Sequence, residues 1–189
     1  TPPPPSESER KPLHAMGAGK ATDADEASAI LANWHLLSAA YAVNLACGSA
    51  ALLYASTLLG QRVGYVGNAL LYIFTCAGSL FVSIPLIAVM GRRLCLCLAM
   101  AAYSVFVGLF ALATALPDAS AAQWLAYLPA ACLGGLAAGV LWTLQGAFLS
   151  RSADLLAEVT EGGRQSATAR LAAISAMYFC LGEVALKLG

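Results

Sequence analysis

Long apolar runs alternate along this chain with short segments that hold most of its charges. Four runs carry no charged residue, and they cover residues 36–59, 64–90, 94–116 and 124–150. A fifth run, 171–188, holds only Glu183 and Lys187. Because an α-helix rises 1.5 Å per residue, about 20 apolar residues cross a hydrocarbon core of about 30 Å. The pattern therefore predicts five transmembrane helices in these ranges.

The residue types in the runs favour helices over barrel strands. Strands of a membrane barrel need only about ten residues and alternate apolar with polar positions. Here Ala and Leu dominate without alternation, and a helix pairs every backbone group within its own segment. We predict an all-α, polytopic membrane protein whose membrane helical domain covers residues 29–189.

The first 28 residues differ from the rest. They are rich in proline and charge and hold few large apolar side chains, a composition typical of a flexible polar tail. The chain starts with Thr1 and stops at Gly189, directly after the fifth run. We therefore expect either a processed chain or part of a longer protein.

Composition supports a membrane protein and argues against nucleic-acid binding. Apolar residues make up 60% of the chain and charged residues 11%, against about 25% charged in soluble domains. The mean hydropathy is +0.74. The formal net charge is zero, so no overall basic field attracts nucleic acid.

The basic residues predict an orientation. If the five spans alternate, the amino-terminal tail and the second-to-third and fourth-to-fifth loops share one side. Positively charged loops favour the cytoplasmic side, so we place the amino terminus on that side or its topological equivalent. The membrane we expect is that of an organelle (a plastid included) or an endomembrane. This side holds eight of the ten basic residues: Arg10, Lys11, Lys20, Arg92, Arg93, Arg151, Arg164 and Arg170.

No motif indicates an enzyme. The six cysteines form no C-x-x-C pair, and neither histidine lies in the middle of a run, so no metal site is predicted. We predict no catalytic residue and no cofactor, with lipid or pigment at the periphery as an open alternative. A light-harvesting protein is disfavoured because the first four runs lack charged residues that could pair at chlorophyll ligands.

The fourth run carries a candidate helix-packing face. Ala131, Gly135 and Gly139 recur every four residues, and small residues at this spacing let a neighbouring helix approach closely.

Polar side chains within the runs are the candidate functional residues, because an unpaired polar group in hydrocarbon costs several kcal/mol. The amides of Asn44, Asn68 and Gln145 could form an interhelical cluster, contact a substrate or bind a pigment. Glu183 and Lys187 have the spacing of a helical ion pair. The full set is Asn44, Asn68, Trp142, Thr143, Gln145, Glu183 and Lys187.

The segment 134–158 resembles the fourth-helix signature of the Unc-93-like branch of the major facilitator superfamily. A Gly/Ala-rich stretch leads to Leu141–Gly146 (L-W-T-L-Q-G), then to Arg151 and to the acidic end Ala157–Glu158. Gly91–Arg93 stands where facilitators keep a loop with glycine and basic residues, although the fuller charged form of that loop is missing. The resemblance covers about residues 30–189.

This resemblance implies part of a six-helix half of a facilitator fold. Facilitators hold substrate between two such halves, and five helices cannot build that site alone. The function expected from the resemblance is therefore a non-catalytic structural or regulatory subunit, in contact with membrane lipids and with other integral membrane proteins of a larger complex. The alternative is a fragment of a transporter for a small solute or ion.

Overall fold

The structure, a computed structural model, is a bundle of five long helices. It describes the backbone of residues 7–118 and 120–188 and the side chains of residues 23–118 and 120–187. All five helices are long and apolar enough to cross a membrane, with the candidate span of α1 covering Asp23–Leu58. The described residues contain no strand, and the predicted all-α polytopic membrane fold is confirmed. The helices are α1 (Glu7–Leu58), α2 (Gln61–Met90), α3 (Arg92–Thr114), α4 (Ala121–Val159) and α5 (Gly163–Leu188).

The helices extend beyond the charge-free runs. α4 continues past Ser150 to Val159 because its last turns are amphipathic. Ala153 and Leu156 are buried there, whereas Arg151 and Asp154 are exposed. A membrane helix can therefore extend into the polar boundary, and the absence of charge marks only its apolar part.

α1 begins at Glu7, so its backbone overlaps the predicted tail over residues 7–28. Residues 1–6 lie outside the described part of the chain. The flexibility of the tail stays a prediction.

α2 contains a five-residue π-helical segment, Gly78–Val82, between α-helical parts at Gln61–Ala77 and Ser83–Met90. Pro85 follows closely. A proline has no N–H to donate and crowds the carbonyl four residues earlier, so the hydrogen-bond ladder widens before it. The Ser83 hydroxyl donates to the Gly78 carbonyl at 2.8 Å, which satisfies one acceptor in the widened turn.

α4 is the central helix and packs against each of the other four. Tyr127, Leu141 and Leu144 on α4 are fully buried, as is Phe106 on α3. The ring of Phe106 lies 6.5 Å from that of Tyr127, centroid to centroid. Aromatic and aliphatic side chains thus fill the centre between α3 and α4.

α1 and α5 are joined by polar contacts despite their separation in sequence. Trp34 Nε1 donates to the Leu171 carbonyl at 2.8 Å, and the hydroxyls of Ser38 and Ser175 lie 3.0 Å apart. Hydrogen bonds between membrane helices replace contacts that lipid cannot supply. This pairing fixes α5 beside α1 and leaves a space next to α4.

Candidate functional site

The small-residue face of α4 lies directly against α2. A Cβ atom added at Gly135 would stand 2.4 Å from the Leu71 carbonyl oxygen, and one at Gly139 would stand 2.5 Å from the Thr75 carbonyl oxygen. Ala131, on the same face, is fully buried. Only glycine fits at the two closest points, because any Cβ there would overlap backbone atoms of the neighbouring helix.

Further along α4 the packing opens into a cavity of about 390 Å³ between α1, α4 and α5. Trp34, Trp142 and Phe179 supply aromatic surface to its wall. Gly146 leaves open space, since a Cβ added there would meet nothing within 4 Å. The cavity is apolar over most of its surface and receives side chains from three helices.

Gln145 is the residue of this cavity whose side-chain hydrogen-bonding groups are not all paired. Its Oε1 is buried and has no hydrogen-bond partner among the described residues. Ser175 also lines the cavity, but its hydroxyl is shared with Ser38. Lipid chains supply no hydrogen bond, so within a membrane the amide of Gln145 has a polar requirement that the described part of the chain does not meet.

The structure separates the three predicted amides instead of bringing them into one cluster. Asn68 has a partner at both amide atoms: its Nδ2 donates to the Leu52 carbonyl at 3.0 Å, and its Oδ1 accepts from the Tyr127 hydroxyl at 2.9 Å. Asn44 is half engaged, because its Nδ2 donates to Ser104 Oγ at 3.1 Å while its Oδ1 has no partner among the described residues. The single interhelical cluster is therefore not formed, and each amide faces different helices.

The two residues near Gln145 have different surroundings. The Thr143 hydroxyl donates to the Gly139 carbonyl at 3.0 Å, within its own helix. Trp142 is 52% exposed and lines the cavity. Of the three, Trp142 and Gln145 face the cavity, and Thr143 satisfies its hydrogen bond locally.

Glu183 and Lys187 form an ion pair on α5. The Ser49 hydroxyl on α1 also donates to the Glu183 carboxylate, so the carboxylate links two helices. A charged group inside a membrane is costly unless it is paired and hydrogen-bonded. This contact stabilises the α1–α5 pairing and leaves both charges engaged.

Sequence reasoning missed the structural roles of two aromatic residues on α1. Trp34 stands just before the first charge-free run, a position typical of a headgroup-level anchor, but it is only 3% exposed and is hydrogen-bonded to α5. Tyr41, not identified from the sequence, donates to the Leu141 carbonyl at 2.8 Å. Aromatic residues with a polar tip usually find a hydrogen-bond partner when buried, and their spacing on one side of α1 was the available signal.

Among the residues that the structure describes, no three His, Cys, Asp or Glu side chains are grouped so as to hold a metal ion. The polar and small residues of the described part of the chain thus provide helix contacts, a cavity between α1, α4 and α5, and two incompletely bonded amides. Apolar surface with a few polar groups that fix orientation is typical of binding sites.

Comparison with known proteins supplies the family. A family model described as ion channel regulatory protein UNC-93 matches residues 56–186, more than two thirds of the chain. No curated protein and no solved structure matches it significantly. The matched range includes the Leu141–Gly146 block and the α4 and α5 walls of the cavity. The chain therefore belongs to the UNC-93 family of ion channel regulatory proteins.

Proposed function

We propose that this protein is a non-catalytic regulatory subunit that acts by docking against other integral membrane proteins in a larger complex. Its family is described as regulatory. The orientation we propose places the amino-terminal segment on the cytoplasmic side or its equivalent, as the basic residues favour. The membrane we propose is that of an organelle or the endomembrane system.

The observation that carries this proposal is Gln145. An amide oxygen in a membrane cavity without a partner among the described residues costs several kcal/mol. If the Gln145 side chain turns this oxygen into the cavity, a group from a neighbouring membrane protein can offset the cost. The same apolar wall that raises the cost excludes water and strengthens the contact once it forms.

The cavity is suited to a protein partner. Trp142 is half exposed at its rim, and aromatic residues are enriched among those that contribute most to protein interfaces. Gly146 allows a partner backbone to come close to α4, because a Cβ at that position would touch nothing within 4 Å. A partner segment with a polar group opposite Gln145 would complete the site.

The test is co-migration after gentle solubilisation. We expect the wild-type chain, extracted from its native membrane in a mild detergent, to migrate with a complex much larger than its own 19.4 kDa. Gln145→Leu should release a large part of it as free chain. Loss of one buried hydrogen bond between membrane helices predicts a roughly 3- to 15-fold weaker association.

Thr143→Val is the matched control for this experiment. It also replaces a polar residue of α4 by an apolar one, but the Thr143 hydroxyl is satisfied inside its own helix. It should leave the migration unchanged. Migration of the wild-type chain as a free monomer would refute the proposal, as would equal release of the chain by both variants.

A second function is favoured by the same cavity. As part of a major facilitator transporter, the chain would contribute the α1, α4 and α5 walls of a path for a small solute or ion. A messenger encoding further hydrophobic spans, together with solute uptake in proteoliposomes that falls on Trp142→Ala, would favour this alternative. A stop codon directly after Gly189 would exclude it.

A further inference from the structure

The cavity between α1, α4 and α5 has the size and the lining of a small-molecule site. Its volume is about 390 Å³, and pockets that bind small ligands usually have volumes of about 300–1,000 Å³. Its wall is mostly apolar and includes the aromatic side chains of Trp34, Trp142 and Phe179, one from each helix. A space of this size admits only a few side chains of a docked helix, but it can bury most of one compact lipophilic molecule.

The amide of Gln145 offers this cavity one open hydrogen-bonding atom. Gln145 is half-buried and lines the cavity. Its Oε1 is covered by the chain, whereas its Nε2 is not covered and makes no hydrogen bond among the described residues. The two atoms can exchange places by a half turn of the amide, so the open end can be a donor or an acceptor. A hydroxyl group both donates and accepts, and it can therefore bond the open end in either orientation.

The depth of Gln145 restricts the charge of the ligand. Arg151, which is exposed, follows six residues later on α4, so Gln145 lies about 9 Å further into the membrane. The described residues that line the cavity carry no charge. A charged group at this depth is costly without a charged partner. The ligand is therefore neutral, and the phosphate of a phospholipid is excluded from this position.

The surroundings also favour a rigid ligand over a flexible chain. Lipid tails are as apolar as the cavity wall, so a molecule that leaves the bilayer for the cavity gains little from the hydrophobic effect. The gain must come from close packing and from the hydrogen bond, and a flexible acyl chain loses conformational freedom when it is held in place. A fused ring system has little such freedom to lose, and it can pack closely against the large aromatic side chains of the wall.

We propose that this cavity binds a neutral lipid with a fused ring system and one hydroxyl group, which is the chemistry of a sterol. The hydroxyl bonds the open end of the Gln145 amide, and the rings pack against Trp34, Trp142 and Phe179. The proposal rests on the proposed function and adds a regulation to it. The ligand and the partner segment use the same amide and the same space, so a bound ligand keeps the partner out.

The binding test uses the full chain in lipid nanodiscs and a sterol probe with a photoreactive diazirine in its ring system. Gly146→Leu extends a side chain into the cavity, because an added Cβ there meets nothing within 4 Å. Gly108→Leu on α3 is the matched control, since a Cβ at Gly108 also meets nothing within 4 Å and this residue does not line the cavity. We expect Gly146→Leu to lower photolabelling at least about 5-fold by overpacking the site, and Gly108→Leu to leave it unchanged.

A competition between two unlabelled molecules tests the hydrogen bond. Excess sterol should suppress photolabelling of the wild-type chain about 3- to 15-fold more effectively than its parent hydrocarbon without the hydroxyl group, the difference expected for one hydrogen bond in a membrane. Gln145→Leu should remove this advantage of the sterol. Thr143→Val should keep it, because the Thr143 hydroxyl is bonded within α4.

The regulation is tested on the native complex. Membranes loaded with excess sterol before gentle solubilisation should release more of the protein as free chain than membranes loaded with the parent hydrocarbon. Equal release in both cases would refute the competition between ligand and partner.

Two outcomes would overturn the binding site itself. These are equal photolabelling of the Gly146→Leu and Gly108→Leu chains and equal suppression of photolabelling by the sterol and the hydrocarbon. If the site fails in this way while Gln145→Leu still releases the chain from its native complex, the proposed function stands without this ligand. If the site is supported while Gln145→Leu releases nothing, the ligand site stands, and docking through the cavity fails together with its regulation.

Discussion

Two stretches of α4, seven residues apart, meet very different surroundings. At Gly139 the helix touches the backbone of α2, whereas at Gly146 an added Cβ would find open space. Seven residues are about two helical turns, so both glycines lie on nearly the same side of α4. The first stretch is completed by the chain itself, and the second stretch, with Gln145, is incomplete among the described residues. A stable bundle can thus hold an incompletely packed stretch on the same helix that organises its core.

The largest expected effect comes from making the same change in both stretches. Gly139→Ala places a Cβ 2.5 Å from the Thr75 carbonyl oxygen and should lower the free energy of unfolding by about 2 kcal/mol, a usual cost of overpacking. Gly146→Ala should leave it unchanged or raise it by about 0.5–1 kcal/mol, because alanine favours the helix. Reversible unfolding in mixed micelles measures both, and equal effects would contradict the comparison.

A second contrast concerns satisfied and unsatisfied amides. Asn68→Leu removes two hydrogen bonds and leaves the Tyr127 hydroxyl unpaired, so we expect a loss of about 1–2 kcal/mol. Gln145→Leu should not destabilise the isolated chain, since the Gln145 oxygen has no partner among the described residues to lose. The same unfolding assay applies, and a larger loss for Gln145→Leu than for Asn68→Leu would show that the cavity amide is bonded within the chain.

The smallest expected effect tests a hydrogen bond between α1 and the closely packed stretch of α4. Tyr41→Phe removes the hydrogen bond from α1 to the Leu141 carbonyl and should cost about 0.6 kcal/mol. Tyr54→Phe on the same helix is the control, because Tyr54 is 40% exposed and no hydrogen bond of its hydroxyl occurs among the described side chains. A difference below the error of the assay would show that this bond does not hold α1 against α4.

The helical content and the number of spans were predictable from the sequence because they follow from the length of apolar runs. The ends of the helices were not, since α4 continues to Val159 on an amphipathic pattern that includes charged residues. The UNC-93 relationship could be predicted from the Leu141–Gly146 block and is confirmed by the family match.

The partners of the polar residues could not be predicted, because they depend on which helices become neighbours. Asn68 and Gln145 carry the same amide group, yet Asn68 has a partner at both amide atoms and Gln145 has an unpaired oxygen among the described residues. Likewise, the position of Trp34 in the sequence is typical of an interfacial anchor. Only the structure shows that its Nε1 donates to the Leu171 carbonyl on another helix. Pairings across more than 100 residues leave no periodic trace in the sequence.

The contacts between α1 and α5 have a consequence for how the protein is made. Trp34, Ser38 and Ser49 on the first helix find their partners on the fifth, 134–137 positions later in the chain. While the ribosome synthesises the intervening helices, these polar groups of α1 lack their α5 partners and face lipid, the translocation machinery or a chaperone. The final structure can therefore close only after α5 has been inserted, and mutations in α5 should expose α1 to membrane quality control as effectively as mutations in α1 itself.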